Sequence, residues 1–287
     1  MSEIQQKKLR KTISVILIIC IVFLCFDFVA SEITDKYAYE DAEVDTTEWA
    51  SVYNKILANE KLTDEDYEII FEQSGLGKPA VDALLSENRI SDIEYYRDYY
   101  LKDKDFTCVR TAIFAQHEAV TDGEGNQILN PDFANIENGD IIITLSIHSL
   151  GWRHGHAAIV TNAETGETAQ AVRVFEKSDF GTVWEWNDFP LVAVLRVKNI
   201  DESTQNQVVD FVKENMIGIP YALSAGVIGG RDTEADLFTT HCAHFVWYAY
   251  KCLGIDLDTD GGMVTPKEIL HSDKLEIVQV YGNILEV

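Results

Sequence analysis

The hydrophobic periodicity of the chain changes once, and this change constrains the fold class more than any other feature. Residues 46–105 carry apolar side chains at intervals of three or four, as at Trp49 and Val52, which is typical of amphipathic helices. Further along, short apolar runs are bounded by turn residues, most clearly at 141–145, and such runs indicate buried strands. We therefore predict a helical accessory subdomain over 46–105, packed on a second domain over 106–287.

The domain over 106–287 combines predicted strands with predicted helices. The strands are expected over 141–145, 157–161, 168–174 and 191–197, and the helices over 204–215 and 241–253. A turn at Glu164-Thr165-Gly166 separates the second and third strands, which predicts a hairpin. Strands framed by helices, without strand–helix alternation, predict an α+β fold with a small antiparallel sheet and packed helices.

Residues 1–30 predict a membrane anchor or a signal segment. Four basic residues precede an apolar run from Ile13 to Phe26, and a basic flank of this kind stays on the cytoplasmic side. We expect 31–45, which is acidic and polar, to be a linker. The remainder is then extracytoplasmic and tethered to the cytoplasmic membrane, or secreted if cleavage occurs near residue 31.

The charge balance limits the partners. The formal net charge is −25, and no cluster of Lys or Arg follows residue 11. A surface this acidic repels phosphate backbones, which argues against nucleic acid as a partner. The membrane, through the N-terminal segment, and a peptide or acyl substrate are the partners that we predict.

The five cysteines leave one candidate functional thiol. Cys242 and Cys252 lie ten residues apart in one predicted helix, roughly 15 Å along its axis, and a disulfide tolerates at most about 7 Å. A bridge from Cys108 to Cys252 is possible and would leave Cys242 unpaired. An unpaired cysteine in an exported domain suggests a functional role.

Cys242 lies at the predicted start of a helix, with Thr239 or Thr240 as the expected N-cap. The free N–H groups there stabilise a thiolate, which predicts a thiol pKa below its usual value of about 8.5. The same groups can stabilise an oxyanion. His156 begins a predicted strand and is the expected base, and Gln170 on the partner strand is the candidate third group.

These residues lie in motifs that resemble the permuted form of the NlpC-like superfamily, the YiiX/YycO-like group. The motifs are Gly139–Ile142 with Gly155–Val160, Gly218–Tyr221, Cys242–Trp247, and Gly254–Gly262 with Thr265-Pro266. The resemblance covers about 138–282. It implies a permuted papain-like α+β fold, a Cys/His dyad with a third polar residue, and hydrolysis of amides or esters without a cofactor.

The chain departs from this group at one position, because the group usually has Glu where this chain has Gln170. A glutamine can accept the imidazole N–H but stabilises imidazolium less than a carboxylate does. We accordingly expect Gln170→Glu to preserve or raise activity. Tyr221, which ends one of these motifs, and Trp152, which lies four residues before His156, are the candidate substrate-binding residues.

Two metal sites are alternatives that we rank below catalysis. The first alternative is a zinc site whose ligands come from Cys242 and four histidines, His154, His156, His241 and His244. The spacing of these residues does not favour tetrahedral coordination of one ion. Asp256, Asp258 and Asp260 resemble the opening of a calcium loop. Lys267 stands where that loop needs a bidentate glutamate, so an acidic turn is the simpler interpretation.

The leading functional hypothesis is a cysteine hydrolase that cleaves amide bonds at the cell envelope, with peptidoglycan stem peptides as the expected substrate. A lipid or ester acyl hydrolase or acyltransferase of the same fold is the first alternative. A binding module with a weakened site is the second, because Gln170 is neutral. The presence of both Cys242 and His156 favours an enzyme over the binding module.

Overall fold

The computed structural model describes residues 3–38, 46–102, 104–111, 115–149, 151–227, 237–258 and 261–287. Its helices are α1 (Glu3–Ala38), α2 (Trp49–Leu57), α3 (Asp64–Ser74), α4 (Lys78–Ser86), α5 (Ile90–Tyr100), α6 (Glu202–Asn215), α7 (Cys242–Lys251) and α8 (Pro266–Leu270). Its strands are β1 (Asp105–Arg110), β2 (Ala115–Thr121), β3 (Ile141–Thr144), β4 (Ile147–Ser149), β5 (His156–Asn162), β6 (Glu167–Gln170), β7 (Asp179–Thr182), β8 (Val192–Val197) and β9 (Leu275–Tyr281). These elements confirm the α+β prediction.

The described strands form two antiparallel sheets. The larger has the order β7-β6-β5-β3-β8-β9, and the smaller has the order β1-β2-β4. Strands β5 and β6 form the predicted hairpin, in which Ala158 is paired with Gln170. The hairpin register therefore brings the last residue of β6 close to the first residue of β5.

The larger sheet is buried on both faces, which explains why its central strands are continuously apolar. Ile141 and Ile143 pack in one core with Phe245 of α7. Ile142, between them, packs in a second core with Leu84 of α4. Because successive side chains of a strand point to opposite faces, α6, α7 and α8 cover one face and the helices α2–α5 cover the other.

The helices of the predicted accessory subdomain begin and end largely as the sequence indicates. The sequence Thr63-Asp64-Glu65-Asp66 predicts a capping box, and Thr63 makes this box with Asp66 at the start of α3, while Gly75 ends that helix in the left-handed conformation. The sequence Ser91-Asp92-Ile93-Glu94 predicts a second capping box, but this prediction is wrong, since α5 begins at Ile90. Glu94, the expected partner in that box, instead accepts a hydrogen bond of 2.8 Å from the hydroxyl of Tyr53.

One other predicted boundary is wrong. Strand β6 ends at Gln170 rather than at 174, and its pairing with both β5 and β7 ends at the same residue. The predicted linker over 31–45 is helical as far as Ala38, where α1 ends. Residues 39–45 of that linker lie outside the described residues.

Helix α1 contains a segment long and apolar enough to cross a membrane, Gln5–Phe26, with a mean hydropathy of 2.4 and no part buried. Only length and composition identify this segment. A signal sequence near an N-terminus has the same two properties. The segment is therefore compatible with a membrane anchor and with a signal sequence.

The loop between α3 and α4 connects the α2–α5 layer to the sheet. Leu76 forms an antiparallel bridge with Gln279 of β9, and the N–H of Gly77 donates to the carbonyl of Val278. A Cβ atom added at Gly77 would lie 1.8 Å from the carbonyl oxygen of Ile277. The two backbones thus approach too closely for any other residue at this position.

We expect Gly77→Ala to lower the stability of the whole chain. Gly77 has an ordinary extended backbone with φ −73°, so the effect is steric only, and overpacking of this kind costs about 1–3 kcal/mol. Thermal unfolding measures the change. Gly123→Ala is the matched control, because nothing lies within 4 Å of a Cβ there. Equal midpoints for the two variants would contradict the close docking of the loop on β9.

Candidate active site

Cys242 is the first residue of α7 and is only 8% exposed. The N-cap is His241, not Thr239 or Thr240 as the sequence suggests, and its ring Nδ1 accepts the N–H of His244 at 3.4 Å. An unprotonated imidazole nitrogen can thus replace the usual hydroxyl or carboxylate cap. The hydroxyl of Thr240 lies instead 3.1 Å from Nδ1 of His244.

His156 begins β5, and its ring is held by two contacts. Nε2 lies 2.7 Å from Oε1 of Gln170, so the hairpin brings together the two residues that the sequence pairs. The ring also stacks on Trp186, with centroids 5.3 Å apart and planes at 11°. Trp186 ends a 3₁₀ turn, Val183–Trp186, that follows β7. The contacts define both the position and the plane of the imidazole.

A third residue, which sequence reasoning missed, extends this arrangement. The side-chain amide of Gln170 donates from Nε2 to the carboxylate of Glu185 at 2.9 Å. Glu185 lies in the 3₁₀ turn beside Trp186. The sequence gives little indication of Glu185. Its position near Gln170 depends on the pairing of β7 with β6, and β7 has the sequence Asp-Phe-Gly-Thr, in which apolar and polar residues do not clearly alternate.

The sulfur of Cys242 lies at the start of β5. The backbone N–H groups of Ala243, Ala157 and Cys242 itself favour the ionised sulfur, and Ala157 directly follows His156. No hydrogen bond between the sulfur and the His156 ring is present among the described residues. Catalytic hydrogen bonds are often long without substrate, so this geometry is compatible with a Cys/His dyad.

Burial sets the protonation states of the two groups. Desolvation raises the pKa of Cys242 to about 11, although the three N–H groups oppose it. Desolvation lowers the pKa of His156 to about 4, opposed by the hydrogen bond to Gln170. The predicted lowering of the thiol pKa is therefore wrong, because enclosure of the sulfur outweighs the effect of the helix N-terminus. Thiol and imidazole are both neutral at pH 7.

A cavity of about 590 Å³ opens beside His156, Gln170 and Glu185. Its remaining lining residues combine apolar and charged side chains: Ile147, Val172, Arg173, Glu176, Lys177, Asp179, Phe180, Trp186 and Phe189. Cys242 is not among the residues that line this cavity. The cavity can hold a ligand with an extended apolar portion and polar groups at its rim.

The two candidate substrate-binding residues occupy different surroundings. The backbone of Tyr221 pairs in parallel with Thr240, two residues before Cys242. Burial raises the pKa of Tyr221, and the charge of an ionised Cys242 raises it further, so this side chain lies near the thiol. Trp152 is 58% exposed, contacts the ring of His154 edge-on at 5.7 Å, and does not line the cavity.

The alternative metal sites gain no support from the described residues. Among them, no group of three or more His, Cys, Asp or Glu side chains could hold a metal ion. His154, expected in solvent, is half-buried and lies 3.1 Å from the hydroxyl of Ser149. Asp256 accepts the indole N–H of Trp247 at 2.8 Å and also pairs with Lys251. Asp260 lies outside the described residues.

Comparison with family models, with curated proteins and with solved structures finds no match for this chain. The resemblance to the permuted NlpC-like group consequently stays a prediction from the motifs. The contacts of His156, Gln170, Glu185 and Cys242 are the observations that bear on the chemistry of the site.

We expect alkylation of Cys242 by iodoacetamide to be slow at pH 7 and to rise about tenfold per pH unit up to pH 10, because only the thiolate reacts. Peptide mapping by mass spectrometry follows each cysteine separately, and Cys252, which is half-buried, serves as the internal comparison. A Cys242 rate that is already at its plateau below pH 8 would show a preformed thiolate–imidazolium pair and contradict the neutral dyad.

Proposed function

We propose that this chain is a cysteine hydrolase with a permuted papain-like fold that cleaves amide bonds by acyl transfer. One observation carries the proposal. The start of β5 supplies His156, bonded to Gln170 at 2.7 Å, and also the Ala157 N–H that favours an ionised Cys242 at the start of α7. A thiol at a helix N-terminus and an imidazole with an orienting group therefore lie at the same end of β5, which supports the proposal.

The mechanism begins with the neutral pair. His156 takes the proton of the Cys242 thiol as the sulfur attacks the substrate carbonyl and forms the carbon–sulfur bond. The N–H groups of Cys242 and Ala243, which favour an ionised sulfur in the resting site, stabilise the oxyanion as negative charge moves from sulfur to oxygen. The imidazolium gives its proton to the leaving amine as the amide bond breaks. Water, deprotonated by His156, then attacks the thioester, releases the carboxylic acid and restores the thiol.

We propose cell-wall peptides as substrates, at the outer side of the cytoplasmic membrane. The N-terminal segment Gln5–Phe26, either an anchor or a signal sequence, supports an envelope location. Charged side chains on the cavity rim, such as Arg173 and Asp179, suit the polar groups of a peptide.

A lipid or ester acyl substrate is the second candidate, and a specific observation favours it. The cavity wall includes Val172 and Phe180, which are 48% and 43% exposed, and Phe175 in the adjoining loop is fully exposed. Large apolar side chains that stay in water next to a cavity indicate an apolar ligand. Hydrolysis of an acyl ester would use the same Cys242 and His156 steps.

Activity toward muropeptides and phospholipids, assayed in parallel, separates these substrates. We expect Cys242→Ala and His156→Ala each to lower the turnover of the true substrate by at least about a thousandfold. Cys252→Ser is the matched control, and we expect it to retain activity. Full activity in His156→Ala would overturn the mechanism, and binding of muropeptides without turnover by the unaltered chain would indicate a binding module instead.

A further inference from the structure

The mechanism above assigns no task to Glu185, although its carboxylate is the end of a hydrogen-bonded chain that begins at the base. The chain runs from His156 Nε2 to Gln170 Oε1 at 2.7 Å and from Gln170 Nε2 to Glu185 Oε2 at 2.9 Å. Glu185 also lines the cavity beside His156. A carboxylate at this place faces both the orienting amide and the space for a ligand.

The chemistry of the three side chains determines which group donates and which group accepts each hydrogen bond. An ionised carboxylate only accepts hydrogen bonds, so the NH₂ end of the Gln170 amide has to face Glu185. The carbonyl end then faces His156 and accepts a hydrogen bond from its Nε2–H group. In a neutral imidazole the other nitrogen is consequently unprotonated, and Nδ1 becomes the base. Glu185 thus controls the tautomer of His156 through Gln170.

Two features of the chain make room for this arrangement. A Cβ atom at Gly181 would lie 2.2 Å from Nε2 of Gln170 and 2.9 Å from Oε2 of Glu185, so only glycine permits the contact. Trp186, the next residue after Glu185, stacks on the His156 ring. One 3₁₀ turn therefore supplies both the surface that holds the plane of the ring and the carboxylate that orients its hydrogen-bond partner.

We propose that Glu185 is a positioning residue that holds the Gln170 amide with its oxygen toward His156, and thereby keeps the imidazole in the Nε2–H tautomer with Nδ1 free to act as base. The use of Nδ1 as a base rests on the function proposed above. The assignment of the tautomer does not rest on that function, and the tautomer can be measured in the absence of any substrate.

The first experiment measures the tautomer by nitrogen NMR of the histidine-labelled full chain at pH 7, where His156 is neutral. Wild type is expected to show the Nε2–H form. In Glu185→Lys a donor replaces the acceptor, so the amide turns and the Nδ1–H form gains population. Glu164→Lys is the matched control, because it makes the same charge change at the exposed turn between β5 and β6. A Nδ1–H form in wild type, or the same tautomer in both lysine variants and wild type, overturns the proposal.

The second experiment exchanges the two polar groups. Gln170→Glu alone places two carboxylates within hydrogen-bond distance, which disfavours ionisation of both, and we expect a loss of activity. This outcome is the reverse of the expectation from sequence alone. The double variant Gln170→Glu/Glu185→Gln restores one carboxylate and one amide, and we expect kcat to return to within about tenfold of wild type. Equal loss in the single and double variants would contradict the coupling.

Activity assays connect the tautomer to catalysis. An imidazole in the wrong tautomer loses most of its base catalysis, so Glu185→Lys is expected to lower kcat by at least about a hundredfold, with the thermal midpoint unchanged. If wild type shows the Nε2–H tautomer but hydrolyses neither muropeptides nor phospholipids, the proposed function fails while the assignment of Glu185 stands. If the chain is active and Glu185→Lys retains wild-type kcat, the proposed function stands and the role of Glu185 in catalysis fails.

Discussion

The packing of α7 against β5, while β5 pairs with β6, is the contact on which the rest of the candidate site depends. Strand β5 carries His156, the proposed base, and the Ala157 N–H that favours an ionised sulfur. Strand β6 carries Gln170, whose side chain is hydrogen-bonded to the imidazole. The strand can be this well defined because both of its faces are buried, one under α7 and the other under the α2–α5 layer. The helical layer thus supports the site without supplying a residue to it.

The same burial that holds Cys242 and His156 in place also sets their pKa values. Burial destabilises a charged sulfur at Cys242 more than the three N–H groups stabilise it. The pKa of Cys242 therefore rises to about 11. The pKa of His156 falls to about 4 for the same reason. Thiol and imidazole are therefore both uncharged in the resting site, and under the proposed function proton transfer would have to accompany attack on the carbonyl. In that proposal, the tautomer of the neutral imidazole decides whether its free nitrogen can act as the base.

Sequence patterns predicted the parts of this site that depend on local periodicity. The β5–β6 hairpin followed from alternation and a turn signal, and it placed Gln170 beside His156, as the bond at 2.7 Å shows. The start of α7 followed from its apolar stripe. The cap was missed because histidine is an unusual N-cap, and the thiol pKa was missed because enclosure of a side chain depends on the whole fold rather than on the helix that carries it.

The remaining omissions are of a different kind, because they involve pairings between distant segments. Strand β9 lies almost eighty residues beyond β8, which it pairs with at the edge of the sheet, and no local pattern selects that partner. Glu185 reaches the site through β7, whose pairing with β6 places Gly181 across from Thr168. A glutamine in the position of an expected carboxylate then has a physical explanation in a residue that sequence motifs do not include. The negative charge is present, one hydrogen bond further from the imidazole, and an amide transmits its orientation but only part of its electrostatic effect.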